Sequence, residues 1–238
     1  MVNFLLGQQS RYTKYPCFIC LWDSRDRTNH WIKTDWTLRE TLNVGGKNIV
    51  NEPLVSRYRI IFPPLHIKLG LIKQFVKALD KDGECFRYIC QSFPGLSLEK
   101  LKGGIFNGSD IRKLMKDPNF MYSMNPLEAV AWRGFVEVVQ NFLGNKRAAN
   151  FKEIIQNMLN EYQRLGTNMS IIVHFLHNHL DEFPPNCCDV SDEQGDRFHQ
   201  DIKEMENRYQ GRWDAQMMAD YCWSLKRNNP NVNHSRQS

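Results

Sequence analysis

The feature that most constrains the fold is a helical periodicity that begins at residue 65 and recurs along most of the chain. Within residues 65–79, apolar side chains fall on one face at a spacing near 3.6 residues: Leu65, Leu69, Ile72, Phe75, Val76 and Leu79. Similar patterns predict further helices at 84–93, 97–106, 108–117, 125–144, 149–166, 168–183, 191–209 and 214–227. Ser97, Ser109 and Asn125 are the expected N-caps, and glycine or proline follows several helices. The expected fold class is therefore mainly α.

Residues 1–64 lack this periodicity. Strand-like pieces occur at 15–22 and 58–64, separated by polar and glycine-rich turns. Two or three such pieces make a poor free-standing sheet. We therefore expect a small β portion in segment 1–64, a helical body over 65–227, and a disordered tail over 228–238, which has no apolar anchor.

Composition limits the classes of protein that fit. The 238 residues are 42% apolar, which is ample for a packed core in one or two domains. No apolar run of about 18 residues predicts a membrane span, and the start has no basic n-region typical of a signal peptide. An intracellular location is expected, so paired cysteines suggest a metal before a disulfide. The net charge of +5 permits nucleic-acid binding but does not argue for it.

Cysteine and histidine pairs are the residues most suggestive of chemistry. Cys17 and Cys20 form a C-x2-C pair, which supplies two of the four ligands in many structural zinc sites. His30, ten residues after Cys20, is the local candidate for a further ligand. The distant candidates lie in the helix predicted at 168–183: His174, His177 and His179.

Helix geometry leaves the choice among these histidines open. His174 and His179 are five residues apart, or about 140° around a regular helix, so the last turn must unwind if both are to reach one ion. His174 and His177 share a face without distortion. All three are equally compatible with ordinary helix residues.

An acidic residue opens the helix predicted after this cluster. Ser191 is its expected N-cap, with Glu193 in the first turn. A capping box between Ser191 and Gln194, and an acid placed favourably in the helix dipole, explain this pattern without catalysis.

The order of these motifs resembles the C-terminal part of the catalytic core of Transib-type DNA transposases and their relative, the catalytic subunit of the V(D)J recombinase. The resemblance rests on "YPCFIC", "PPLHIKLG", "NGSDIRKLM", "HFLHNH" and "EQGD". It is closest to a transposon-derived group of animal proteins that share "KYPCFICLWDSR" and "DEQGDRFHQDIKEMENRYQGRWD". In "PPLHIKLG" the family's histidine is kept as His66, whereas its aspartate is replaced by proline.

The resemblance implies a partial RNase H-like core interrupted by a large helical insertion that a structural zinc ion holds in place. It assigns the zinc ligands to Cys17, Cys20, His174 and His179, with His177 or His30 as the alternatives. Asp23 could orient the zinc loop. Glu193 would be the catalytic glutamate.

The family's chemistry uses two aspartates and one glutamate to hold two Mg²⁺ or Mn²⁺ ions that promote DNA strand cleavage and transfer. In the family both aspartates precede the C-x2-C pair, and no acidic residue precedes Cys17 in this sequence. We therefore expect a C-terminal transposase fragment that is inactive alone. In its full-length form the partner would be transposon-end DNA; a homodimer is one assembly that the resemblance allows, and the expected location is the nucleus.

The alternative is a domesticated, non-catalytic module that is stabilised by zinc and binds DNA or a protein. Basic residues near the C-terminus are weak candidates for phosphate contacts: Arg208, Arg212, Lys226 and Arg227. A solvated helix face explains the same residues.

Overall fold

The structure of the protein is a computed structural model that describes residues 2–9, 13–144, 146–187, 205–210 and 215–227. The chain divides into two compact units, residues 1–191 and 192–238. Glu193, Arg212, the predicted helix start at Ser191 and the 228–238 tail lie outside the described residues.

The described chain is mainly helical, as the periodicity predicted. The first unit contains α1 (Val2–Leu5), α2 (Pro64–Ala78), α3 (Glu84–Ser92), α4 (Leu98–Lys102), α5 (Gly108–Lys116), α6 (Pro118–Tyr122), α7 (Pro126–Asn141), α8 (Phe151–Arg164) and α9 (Ile171–Asn178). Short 3-10 helices lie at Arg57–Arg59 and Leu180–Glu182. In the second unit, α10 spans Ala215–Arg227.

Two of the three predicted N-cap residues, Asn125 and Ser97, are confirmed. The Asn125 side chain accepts hydrogen bonds from the backbone of Leu127 and Glu128, and the Glu128 carboxylate reciprocates, so α7 begins with a capping box. Ser97 caps α4 as predicted. The prediction of Ser109 as a cap is wrong, because Asn107 begins α5 and forms the capping box with Asp110.

The expected β portion does not form a sheet. In the described part of residues 1–64, pairing is limited to two isolated antiparallel bridges, Gln8 with Ile49 and Cys20 with Leu38. The apolar side chains of this segment pack instead on one another and on the helical body: the Phe18 ring lies 5.7 Å from the Phe62 ring of the same segment and 5.7 Å from the Phe175 ring of α9. Burial against α9 thus replaces the cross-strand neighbours that a sheet would need.

One hydrophobic core joins the N-terminal segment to the helices of the first unit. α7 and α8 pack together, and α2 contacts both α7 and α9. Gly70 lets α2 approach α9 closely, since a Cβ atom there would lie 2.6 Å from the Cγ1 atom of Ile172. The buried Tyr162 of α8 donates its hydroxyl to the Leu71 carbonyl at 3.2 Å. These contacts fix the position of α9, which carries two of the predicted zinc ligands.

The second unit has a small apolar cluster of its own. Met205, Met217 and Tyr221 are buried together, with Tyr209 packed on them, and the Tyr209 hydroxyl bonds the Asp220 carboxylate. Among the described helices of either unit, none has the length and apolar character needed to cross a membrane.

Candidate metal centre

Four side chains from opposite ends of the first unit converge into one buried cluster. The Cys17 and Cys20 sulfurs and the His174 and His179 ring nitrogens all lie within 4.8 Å of one another. Cys17, Cys20 and His174 are fully buried, and His179 is 8% exposed. These are the four residues that the resemblance assigned as ligands.

The two cysteines lie on a tight turn that also binds one of the sulfurs. The backbone N–H groups of Ile19 and Cys20 both donate to the Cys17 sulfur at 3.4 Å. Such N–H donors stabilise the thiolate form of a cysteine, which is the form that binds metal.

The two histidines converge because α9 ends between them. His174 lies within the helix, whereas His179 follows its last residue, Asn178, with a non-helical backbone of φ −133° and ψ 38°. The two rings are 5.0 Å apart between centroids. This end of the helix provides the unwinding that the five-residue spacing requires.

The interatomic distances fit a tetrahedral ion of zinc size. Zn–S bonds of about 2.3 Å and Zn–N bonds of about 2.0–2.1 Å place sulfur and nitrogen about 3.5–3.6 Å apart at the tetrahedral angle. The Cys20 sulfur lies 3.3 Å from Nε2 of both His174 and His179, and the Cys17 sulfur lies 3.6 Å from Nε2 of His179. Two sulfur and two imidazole donors around one point can therefore hold a metal ion such as zinc.

The pKa shifts of Cys17 and His174 favour the forms that bind metal, whereas the shift of Cys20 favours its protonated thiol. Burial opposes ionisation of Cys17, but hydrogen bonds from Cys20, His174 and His179 outweigh it and hold the pKa of Cys17 well below its usual range. The hydrogen bond to Cys17, together with burial, raises the pKa of the Cys20 thiol. Burial lowers the pKa of His174, which keeps its imidazole neutral and able to bind a metal.

Trp22 orients the His174 ring by stacking. The two rings lie 4.6 Å apart and within 13° of parallel. Nδ1 of His174 has no hydrogen-bond partner among the described residues, although a metal-bound histidine commonly uses this second nitrogen for orientation. The indole face therefore takes over the positioning of the imidazole.

Arg39 stabilises the cysteine turn, and no sequence motif predicts this role. Its buried guanidinium donates to the carbonyls of Tyr15, Cys17 and Lys47 at 3.0, 2.8 and 2.7 Å. Burial lowers the pKa of Arg39, and the nearby Cys17 and Cys20 oppose this shift. The arginine thus connects three separate parts of the N-terminal segment and places a positive charge near both sulfurs.

The remaining predicted residues lie outside the cluster. His30 bonds the Asp23 carbonyl at 2.8 Å, and His177 bonds the Asn178 side chain at 2.9 Å. The Asp23 carboxylate accepts the Arg25 N–H and pairs with Lys14, so it stabilises the loop after Cys20. His66 is exposed in the first turn of α2.

The basic residues proposed for phosphate contact belong to the second unit. Arg208 is exposed, and Lys226 and Arg227 end α10.

Two family models match separate parts of the first unit. Residues 1–55 match a domain of unknown function (DUF8703), and residues 64–144 match another domain of unknown function (DUF8704). No curated protein and no solved structure matches the chain. The first match contains both cysteines and Arg39, whereas both histidines lie beyond the second match.

Zinc content and its dependence on the two neighbouring histidines test the cluster. We expect the purified chain to retain one zinc ion, measured by elemental mass spectrometry, and to lose it in His179→Ala because a tetrahedral donor is removed. His177→Ala is the matched control and should retain zinc. Equal zinc content in the two variants would contradict this ligand set.

Replacement of Arg39 tests its role behind the cysteine turn. Arg39→Met should lower the free energy of unfolding by about 2–4 kcal/mol, because three carbonyls lose a charged donor, one of these bonds is buried and the other two are partly buried. Arg39→Lys should recover only part of this loss, since an ammonium cannot reproduce the planar fork. Unfolding is followed in urea, with the exposed Arg27→Met as the control variant. If Arg39→Met lowered the free energy of unfolding no more than Arg27→Met does, the role of Arg39 would be ruled out.

Proposed function

We propose that this chain is the zinc-stabilised helical part of an RNase H-like transposase core, related to Transib transposases and to the V(D)J recombinase catalytic subunit. The observation that carries the proposal is the convergence of Cys17 and Cys20 with His174 and His179 across more than 150 residues of sequence. The resemblance paired these four residues from motif order alone, and convergence of two remote pairs is specific support.

The zinc ion in this proposal is structural. All four ligand positions are filled by protein, and all four side chains are buried, so no position is left open for water or substrate. Its role is to fix the N-terminal segment on α9.

Strand cleavage would need a second, different metal site. Two Mg²⁺ or Mn²⁺ ions bound by three carboxylates activate the attacking oxygen and stabilise the leaving oxygen at phosphate. Among the described residues, the Cys₂His₂ cluster is the one group of three or more such side chains able to hold a metal, and it does not suit these hard ions. We therefore propose that the 238-residue chain engages DNA without cutting it.

A non-catalytic module is the second candidate function. The observation that favours it is that the zinc ligands, Arg39 and one continuous core all lie within residues 1–191. None of these stabilising features includes a catalytic carboxylate. A domesticated protein could keep it for binding DNA or a protein.

DNA binding and strand cleavage can be measured separately on the same protein. We expect the chain to bind a labelled hairpin duplex in fluorescence anisotropy, with affinity that falls as salt rises. Arg208→Ala and Arg212→Ala should each weaken binding and lower the salt slope by about 1. Arg164→Ala is the control, because this arginine pairs with Glu161 on α8.

The same duplex incubated with Mg²⁺ or Mn²⁺ should remain uncut. Cleavage that Glu193→Gln abolishes would contradict the claim of inactivity. Absence of any salt-dependent DNA binding would contradict the transposase-derived function and leave the protein-binding module.

A further inference from the structure

A groove beside the metal centre has the character of a binding site. Its volume is about 430 Å³, within the range of about 300–1,000 Å³ that ligand sites occupy. Phe18, Phe62 and Phe183 give it an apolar floor, with the Phe62 and Phe183 rings stacked 4.6 Å apart. His179 lines the same groove, so one metal ligand forms part of its wall.

Large apolar side chains are exposed along this groove. Leu38, Tyr58 and Ile61 all line it, and they are 63%, 79% and 51% exposed. Single exposed apolar residues are normal, whereas several gathered on one concave surface mark a site of contact. The groove therefore offers apolar area that a ligand could remove from water.

Two extended backbone segments border the groove, and each has backbone N–H and C=O groups that make no hydrogen bond among the described residues. Ile60, just before Ile61, and Pro63, two residues after it, have extended backbones at φ −84°, ψ 117° and φ −74°, ψ 118°. In the described part of the chain, the backbone N–H and C=O of Ile61 make no hydrogen bond.

Leu38 provides the second such segment. The bridge between Leu38 and Cys20 is closed by bonds between their neighbours, Leu21 N–H to Thr37 and Arg39 N–H to Ile19. The backbone groups of Leu38 itself therefore point to the outer edge. Two open edges of this kind can each accept a further extended strand.

The groove also carries one cation and one anion that lack an ion-pair partner within the described chain. Arg57 donates to the Arg39 carbonyl and to the Tyr58 hydroxyl at 2.9 Å, but no described carboxylate pairs with it. Glu182 is exposed and unpaired, whereas the adjacent Asp181 pairs with Lys152 at 2.8 Å. Opposite charges on one groove match a ligand that carries both signs.

We propose that this groove binds an extended peptide segment of a partner protein. The peptide adds backbone hydrogen bonds at Ile61 or Leu38, buries alternate apolar side chains against Tyr58 and the phenylalanine floor, and places an acidic residue at Arg57 and a basic residue at Glu182. A helix would leave the free backbone groups unused, because its own are satisfied internally. A nucleic-acid backbone would need a basic groove, and this one carries two carboxylates, Asp181 and Glu182, with one arginine.

This inference does not depend on the proposed action on DNA. It depends on the metal only because residues at the metal site form part of the groove wall. His179 is itself a ligand, and Phe18 and Ile19 lie between the two ligand cysteines. Peptide binding should therefore weaken when the ion is removed.

Selection of peptides on the whole zinc-loaded chain tests the proposal. We expect a phage-displayed library of short random peptides to yield sequences with apolar residues at alternate positions, one acidic residue and one basic residue. Synthetic copies should bind in fluorescence anisotropy and lose at least about tenfold in affinity on Ile61→Lys. Ile105→Lys is the matched control, since Ile105 is 53% exposed and does not line the groove.

A charge reversal tests the predicted orientation of the peptide. Selection on Glu182→Lys should replace the basic residue of the enriched peptides with an acidic one. Zinc content and circular dichroism verify that each variant is folded.

Three results would overturn the proposal: no enriched peptide, equal affinity for wild type and Ile61→Lys, or selected peptides that are helical when bound. Self-association of the wild type that Ile61→Lys abolishes, measured by sedimentation, would instead assign the groove to a second copy of this chain.

Discussion

The junction between the cysteine turn and the end of α9 is the interaction on which the first unit depends. In its described residues the N-terminal segment has no sheet and little helix, so the backbone there is not held by regular hydrogen bonding. Its turns are fixed by the aromatic contacts around Phe18, by the Arg39 guanidinium, and by the four-residue cluster. The cluster joins residues more than 150 positions apart through side chains that can bind a single ion.

Burial makes the cluster costly unless an ion is bound. Two sulfurs and two imidazoles are removed from water together, and Nδ1 of His174 finds no hydrogen bond among the described residues. Buried polar groups are normally compensated by specific partners. A bound zinc ion would supply that compensation to the two sulfurs and to Nε2 of each histidine, and in small zinc domains its binding contributes folding free energy on the order of 10 kcal/mol or more. The contribution here should be smaller, because a hydrophobic core already spans the unit.

The sequence predicted those elements whose determinants are local. Apolar spacing located α2, α7 and α8, and the capping residue Asn125 placed the start of α7 correctly. Helix geometry also showed that α9 must unwind before His179 if that residue was to join His174. The choice of His179 over His177, however, came from resemblance and not from spacing.

Elements whose determinants are remote in sequence were missed. The apolar run around Phe18 suggested a strand, but it packs against α9 in place of strand neighbours. The role of Arg39 was not predicted. Its acceptors are backbone carbonyls 8 to 24 residues away, and because every residue has a carbonyl, the sequence does not mark which ones are bonded. The groove could not be predicted from the sequence either, since Tyr58 and Ile61 line the same groove as Glu182 only in the folded unit.

X-ray absorption at the zinc edge of the purified chain tests the central claim most directly, because it counts and identifies the donor atoms around the ion. The cluster predicts two sulfur neighbours at about 2.3 Å and two nitrogen neighbours at about 2.0–2.1 Å, with no bound water. A shell dominated by oxygen, or one without sulfur, would show that the cysteine turn and α9 are not joined through a common metal ion.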